Sequence, residues 1–244
     1  LLAILLANSR PHALRAVPHA DCRRIGSPLR AAADPFEGDA GTRLKEELDR
    51  MPVFTVANEE GKPLQYEIGE KPLAVFYADV NAAKMENTAA QRQYPDLGCD
   101  IIPVGLGSAY KLSVEGKAMI VPGIADLKAA GAPPGAQPMG QELPLFACME
   151  MSRDGPDGPV LPLFMSYADC AEAVAQATDT DAPDEPLEIS GLSLPSVVER
   201  LASLGDPSKS AFSFVPPTAS TEHIAAYVGQ GIYQRTVEEG EASE

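Results

Sequence analysis

Three histidines and four cysteines are the side chains with which this chain could ligate a metal or attack a substrate. His12 and His19 lie in a basic N-terminal stretch, which leaves His223 alone in the rest of the sequence. A zinc site needs four nitrogen or sulfur ligands at close spacing, and one imidazole with three scattered cysteines does not supply them. Cys22, Cys99, Cys148 and Cys170 contain no CxxC pair. The last three have apolar or small neighbours and read as buried thiols, although spacing leaves open a bridge from Cys148 to Cys170 or Cys99. His223 follows Thr221-Glu222, a helix-start context, and reads as a surface or cap residue rather than a catalyst.

Other chemistries fail on spacing. No GxSxG nucleophile elbow is present. Gly105-Leu106-Gly107-Ser108 has two glycines of a dinucleotide loop, but the third would fall at Tyr110, so a tight turn is the better reading. The acids at Asp179, Asp181, Asp184 and Glu185 lack the glycine and terminal glutamate of a calcium loop and read as a solvated loop. We expect no catalytic, metal or cofactor residues, and no enzyme.

Charge points the same way. The chain of 244 residues has a formal charge of −16, unevenly spread. Residues 1–33 hold five Arg and one acid, whereas the remainder holds 14 basic against 34 acidic residues. An acidic body forgoes the counterion release that drives nucleic-acid binding. Protein partners, basic ones included, fit it better.

The order of elements follows from apolar periodicity and breakers. A helix is predicted over Thr42–Arg50, capped by Thr42 and stopped by Pro52. Strands follow at Val53–Val56, Leu64–Ile68 and Leu73–Tyr77. Asp79 caps a helix that runs to Tyr94, with Val80, Ala83, Ala90 and Tyr94 as its buried stripe, and Pro95 ends it. Ile101–Leu106 is a strand in which Pro103 marks an edge or bulge. A short helix at Gly107–Leu112, a strand at Ala118–Val121 and a helix at Ile124–Ala130 complete this part.

The order then repeats. Strands are predicted at Leu145–Met149, Val160–Phe164, Leu187–Leu192 and Ala211–Val215, with helices at Asp169–Thr178 and Pro195–Leu204. A last helix, capped by Thr218 or Ser220, runs to about Tyr233. Two apolar runs ending in Phe76 and Phe164 each lead to Tyr-Ala-Asp, at Tyr77–Asp79 and Tyr167–Asp169, and then to Pro-Asp, at Pro95-Asp96 and Pro183-Asp184. A period of about 90 residues is too long for a solenoid unit and indicates a duplicated half-domain.

The organisation expected is therefore α/β (α+β), two pseudo-symmetric repeated halves with helices packed on a mixed β-sheet. The first half spans 34–131, the Pro/Gly linker 132–140, the second half 141–236, and an acidic tail 237–244. Residues 1–33 join an apolar run of seven, too short to span a membrane, to an Arg- and Ala-rich segment that resembles a transit peptide. A basic tail without a targeting role is the other reading. Where two such halves meet, apolar grooves are expected. The candidate lining residues are Phe54, Val75, Phe76, Phe146, Phe164 and Met165, for each of which ordinary core packing is the alternative.

Several stretches in order carry a family resemblance. They are Val53-Phe54-Thr55-Val56 with Gly61-Lys62-Pro63-Leu64, then Pro72–Tyr77, then Ile101–Gly107 with Tyr110-Lys111-Leu112, and the Pro144-Leu145-Phe146 opening of the second half. From about Leu44 to Val228 the chain resembles the twenty-two-kilodalton component family of the translocon at the inner chloroplast envelope, the Tic family, which has cyanobacterial relatives. The resemblance implies two pseudo-symmetric halves with apolar grooves, and a chaperone-like, non-enzymatic role in protein transport. That role is protein import into a plastid, on preproteins or other protein subunits, peripheral to the membrane without a transmembrane helix. The shortened hairpin of the second half and the Pro-rich linker depart from the family. A second expectation is a structural accessory subunit of a large thylakoid complex such as a photosystem supercomplex, motivated by the leader and the acidic tail.

Overall fold

A computed structural model describes residues 35–68, 71–155, 158–180, 187–203 and 212–229. The leader, the acidic tail, Cys22, Pro183-Asp184 and the acids at 181–185 lie outside the described residues, as does any extension of the last helix beyond Gly229. Seven α-helices and two five-stranded mixed sheets are present among the described residues.

The first sheet is built from β1 (Pro52–Ala57), β2 (Gln65–Ile68), β3 (Lys71–Tyr77), β4 (Asp100–Gly105) and β5 (Ala118–Val121). β1 lies between β4 and β3, antiparallel to both, and β5 runs parallel to β3. The hairpin strand β2 pairs with the start of β3. The second sheet repeats this plan with β6 (Pro144–Cys148), β7 (Arg153–Gly155), β8 (Gly158–Phe164), β9 (Ile189–Ser193) and β10 (Phe212–Val215). β6 pairs antiparallel with β8 and β9, β10 runs parallel to β8, and β7 is the hairpin partner of β8.

The ladders give the true register of the duplication. Phe54 stands opposite Tyr77, and Phe146 opposite Phe164. Tyr77 is therefore the counterpart of Phe164, and Phe76 of Leu163. Matching the halves through Tyr-Ala-Asp is out of step by three residues. Tyr77 closes β3 and Asp79 caps α2 (Val80–Gln93), accepting the Asn81 N–H at 2.9 Å. Tyr167–Asp169 instead forms the first turn of α5 (Tyr167–Thr180). Sheet pairing sets the equivalence, because a slip of an odd number of residues would send every side chain to the opposite face. Phe76 and Leu163 face a common interior, whereas Tyr77 and Phe164 face outward beneath helices.

The first helix, α1 (Gly38–Leu48), begins a turn earlier than Thr42. Thr42 is internal to it, and its hydroxyl donates back to the Gly38 carbonyl at 3.0 Å. Buried Phe36 anchors the start. Gly41 lies so close to the Phe36 backbone that a Cβ there would meet it at 2.2 Å. α3 (Leu106–Val114) and α6 (Leu194–Ser203) follow the two equivalent edge strands. Their first residues make the same bond: Leu106 N–H donates to Met51 O at 2.8 Å and Leu194 N–H to Leu143 O at 2.9 Å.

One cluster unites the inner faces of both sheets with α1, α3 and α6, joining Val53, Phe76 and Leu106 to Leu145, Leu163 and Leu194. A continuous apolar interior of this kind packs the two halves against each other around shared core residues. α2 covers the outer face of the first sheet and α5 that of the second. The remaining two helices, α4 (Ile124–Ala129) and α7 (Thr218–Gly229), cross over: α4 lies beside α5, and α7 beside α2 on β1. Cys99, Cys148 and Cys170 are buried free thiols. Burial pushes the Cys170 thiol up to about 11.

Candidate functional site

One groove among the described residues lies between the β4 edge and α7. It has a volume of about 410 Å³ and is lined by Pro52, Pro103, Val104 and Gly105 on the sheet side and Pro216, Ile224 and Ala225 on the helix side. Asp49 and Arg50 also line it. That volume falls in the range of small-ligand and peptide side-chain sites.

The sheet wall is an edge closed to further strand pairing. In an antiparallel ladder, successive residues turn their hydrogen-bonding groups alternately toward and away from the partner. The Leu106-to-Met51 bond sets the parity, so Ile102 and Val104 bond to β1 while Ile101, Pro103 and Gly105 turn outward. Pro103 has no N–H, and the Ile101 N–H is taken by the Asp100 carboxylate at 2.7 Å. Proline on the open side of an edge costs the ladder nothing and blocks strand addition. At Pro103 and Val104 side chains, not backbone donors, make this wall.

Its charged end is built by glycines. The Asp49 carboxylate accepts the Ser108 N–H at 2.7 Å and the Ser108 hydroxyl at 3.2 Å, and pairs with Lys45 at 2.6 Å. A Cβ on Gly105 would meet that carboxylate at 2.3 Å, and one on Gly107 would meet the Lys45 carbonyl at 2.3 Å. The Gly-Leu-Gly-Ser stretch, expected as a tight turn, is instead the passage from the end of β4 at Gly105 into the first turn of α3, whose N-terminus receives an anion from the chain itself. In the second half, Ser193 occupies the position of Gly105, and its own hydroxyl accepts the Ser196 N–H at 3.4 Å.

Behind the helix wall lies His223, half-buried with its ring turned onto the sheet rather than fully at the surface. Its ring stands edge-on to Phe54 at 5.6 Å and tilted to Tyr227 at 5.7 Å. The Tyr227 hydroxyl donates to the Asp100 carboxylate. Burial, helped by Lys84 and opposed by Asp100, holds the imidazole below its ordinary range. A second charged point lies where helix N-termini meet. Asp126 accepts the Tyr167 N–H at 2.9 Å, and Asp169 accepts the Thr218 N–H at 2.9 Å. Burial, with Asp79 and Asp169 adding to it, raises the Asp126 carboxyl above the usual range. Among the described residues no group of three or more His, Cys, Asp or Glu is placed to hold a metal ion. No described helix is long and apolar enough to cross a membrane.

The six residues singled out for groove lining are all buried, the most exposed being Phe164 at 7%. Phe76 and Met165 belong to the central interior. Phe54 lies beneath α2 and α7, and Phe146 and Phe164 pack together beneath α5. Val75 is buried in β3 opposite Met119. None of the six lines the groove. The prolines that do, Pro52, Pro103 and Pro216, carried a sequence signal only as breakers. Ile224 and Ala225 carried none, because nothing in their spacing shows that the last helix lies on the first sheet.

No protein-family model and no curated protein matches the sequence. Solved structures do. Tic22 from Plasmodium falciparum superposes with a TM-score of 0.62 at 18% identity, over 76% of this chain and 98% of that one. Anabaena Tic22, described as a protein of protein transport, superposes with a TM-score of 0.57 at 21% identity, over 76% of this chain and 96% of that one. This chain has the fold of the Tic22 structures.

Proposed function

We propose that this chain is a non-enzymatic import factor of plastids that holds preproteins, in chaperone-like fashion, while they cross the envelope. The groove between β4 and α7 carries the reading. Its three prolines and the aliphatic Val104, Ile224 and Ala225 offer apolar contact, and its edge has no outward N–H at Pro103. Such a wall takes an extended or helical apolar stretch without reading its sequence. The likeness in fold to Anabaena Tic22, described as a protein of protein transport, supports a polypeptide as the ligand. The charge of −16 supports attraction of basic presequences. In this proposal Phe54, Val75, Phe76, Phe146, Phe164 and Met165 act as buried packing that holds the two sheets in shape rather than as contacts to the client. The accessory-subunit reading rests on residues 1–33 and 237–244, outside the described residues, and no observation favours it.

A photo-crosslinking amino acid at Val104 tests the reading with a synthetic basic presequence peptide at tens of micromolar. The expected result is a crosslink from Val104 and none from Met139, an exposed apolar residue outside the groove. Equal yields at both positions, or none at Val104, would overturn it.

A further inference from the structure

α7 follows the last strand of the second sheet but lies on the outer face of the first. Its bed is apolar at Phe54, Val80, Ala83 and Ile101, each at most 4% exposed, on which Ile224 packs, and polar at the margin, where Lys84 and Asp100 face His223. The helix itself is held along one side only. Ser220 is buried and His223, Ile224 and Tyr227 are half-buried, whereas Thr221, Glu222, Ala225 and Ala226 are exposed. The fit is imperfect in chemistry as well. His223 Nε2 is buried there with no hydrogen-bond partner, which costs stability that a purely apolar contact would not lose. The helix carries Glu222 and no Lys or Arg, on a protein whose net charge is −16. A tether remains at its start, where the Thr218 N–H bonds to Asp169 of α5. The other sheet differs: Phe146 is covered by Tyr167 of α5, a helix of its own half, at 5.4 Å.

We propose that the outer face of the first sheet is an exchangeable helix-binding site, with α7 as its resident occupant and an amphipathic helix of a partner, basic on its outer side, as the replacement. The apolar stripe of the partner takes the place of Ile224 on Phe54 and Ile101, which is the helix-in-groove mode of recognition. Its basic side meets a protein of net charge −16 and the Asp100 carboxylate, to which α7 offers only the neutral Tyr227 hydroxyl. The apparent affinity then depends on the fraction of molecules in which α7 has lifted. This proposal rests on the transport reading only for a polypeptide as the ligand; its site is the bed of α7 itself, which opens when the groove between β4 and α7 has lost its helix wall.

The test uses the full chain and a fluorescein-labelled Leu/Lys amphipathic helical peptide, with a scrambled peptide of the same composition as control. Hydrogen exchange is followed across α7 and β1. The expected result is that the helical peptide binds more tightly than the scrambled one, and that binding speeds exchange in α7 while β1 stays protected. Ala219→Gly with Ala226→Gly, two exposed α7 positions outside the groove lining, weakens the helix and is expected to tighten the apparent Kd by about fivefold or more. Binding without release of α7, or with no change in the glycine variant, overturns the exchange and leaves the transport reading in place. No binding of either peptide to either protein overturns both.

Discussion

The Asp49 carboxylate accepts the backbone N–H of Ser108 at 2.7 Å, a bond between residues 59 apart in sequence that locks the end of α1 onto the start of α3. It is a helix cap delivered by a different helix. Two glycines, Gly105 and Gly107, clear the space it needs. Asp49→Ala is expected to cost about 1–2 kcal/mol, read as a fall in Tm of roughly 2–8 °C. Gly107→Ala is expected to be worse, because its Cβ would meet a backbone carbonyl that cannot swing away. Ser193→Ala, which removes the longer cap of the second half, is expected to cost about 0.5–1 kcal/mol. Equal losses at Asp49 and Ser193 in thermal melts would contradict this account.

Because one apolar interior joins both sheets, the halves are expected to unfold together. Leu145→Ala, fully buried in β6, should cost about 2–5 kcal/mol and lower one calorimetric transition without splitting it. Two separated transitions, with only one displaced, would show that the halves fold independently.

His223 is held below its ordinary range, so the folded protein binds its proton less readily than the unfolded chain does. The contribution from neutral His223 is therefore fully present above the unfolded value near 6.5 and is lost as pH falls below it. Lys84 on α2, Asp100 on β4 and Tyr227 on α7 are the polar groups that face the imidazole. The protection of α7 amides, their exchange relative to an unstructured chain at the same pH, is expected to weaken as pH falls below about 6.5. In His223→Phe that weakening should vanish, and its persistence would exclude this imidazole as the cause.

Asp126 shows the opposite sign. Burial first, then Asp79 and Asp169, raise its carboxyl, so the folded state favours the protonated form and stability is lost as pH rises through the raised value. Asp126→Asn retains an oxygen for the Tyr167 N–H and removes the like-charge contact. It is expected to raise the Tm at pH 7 and to gain less at pH 4. A lower Tm at pH 7 would show that the cap requires the charge.

Pro103 keeps the β4 edge from acting as a template. Pro103→Val restores an outward N–H beside the groove while leaving the bonds to β1 intact, so the monomer should fold normally. Self-association should rise, read as an earlier gel-filtration peak at high concentration. An unchanged elution volume would assign edge protection to other features, such as the Asp100–Ile101 bond.

The local elements were legible in the sequence because their causes are local. Asp79 capping α2, Pro95 ending it, Pro103 marking an edge and Pro195 in the first turn of α6 follow from backbone chemistry within a few residues. The mixed α+β class and the duplication were legible for the same reason, since apolar periodicity records which face each element buries. Those patterns also pointed to Phe54, Phe146 and Phe164 as apolar positions of consequence, but burial and groove lining look alike in a string of residues. The exact pairing of the two halves was not legible. Tyr-Ala-Asp occurs twice by composition, while the equivalence is set by which residues bond across the sheet.

By itself, then, the sequence determined the elements, their order, the acidic surface and the absence of clustered histidines. Only the tertiary structure decided that α4 and α7 exchange sides, that Asp49 serves Ser108, and that His223 sits on Phe54. Each of those contacts joins residues far apart in the chain. Their free energy depends on shape and distance after both sheets have formed, and no local preference encodes it.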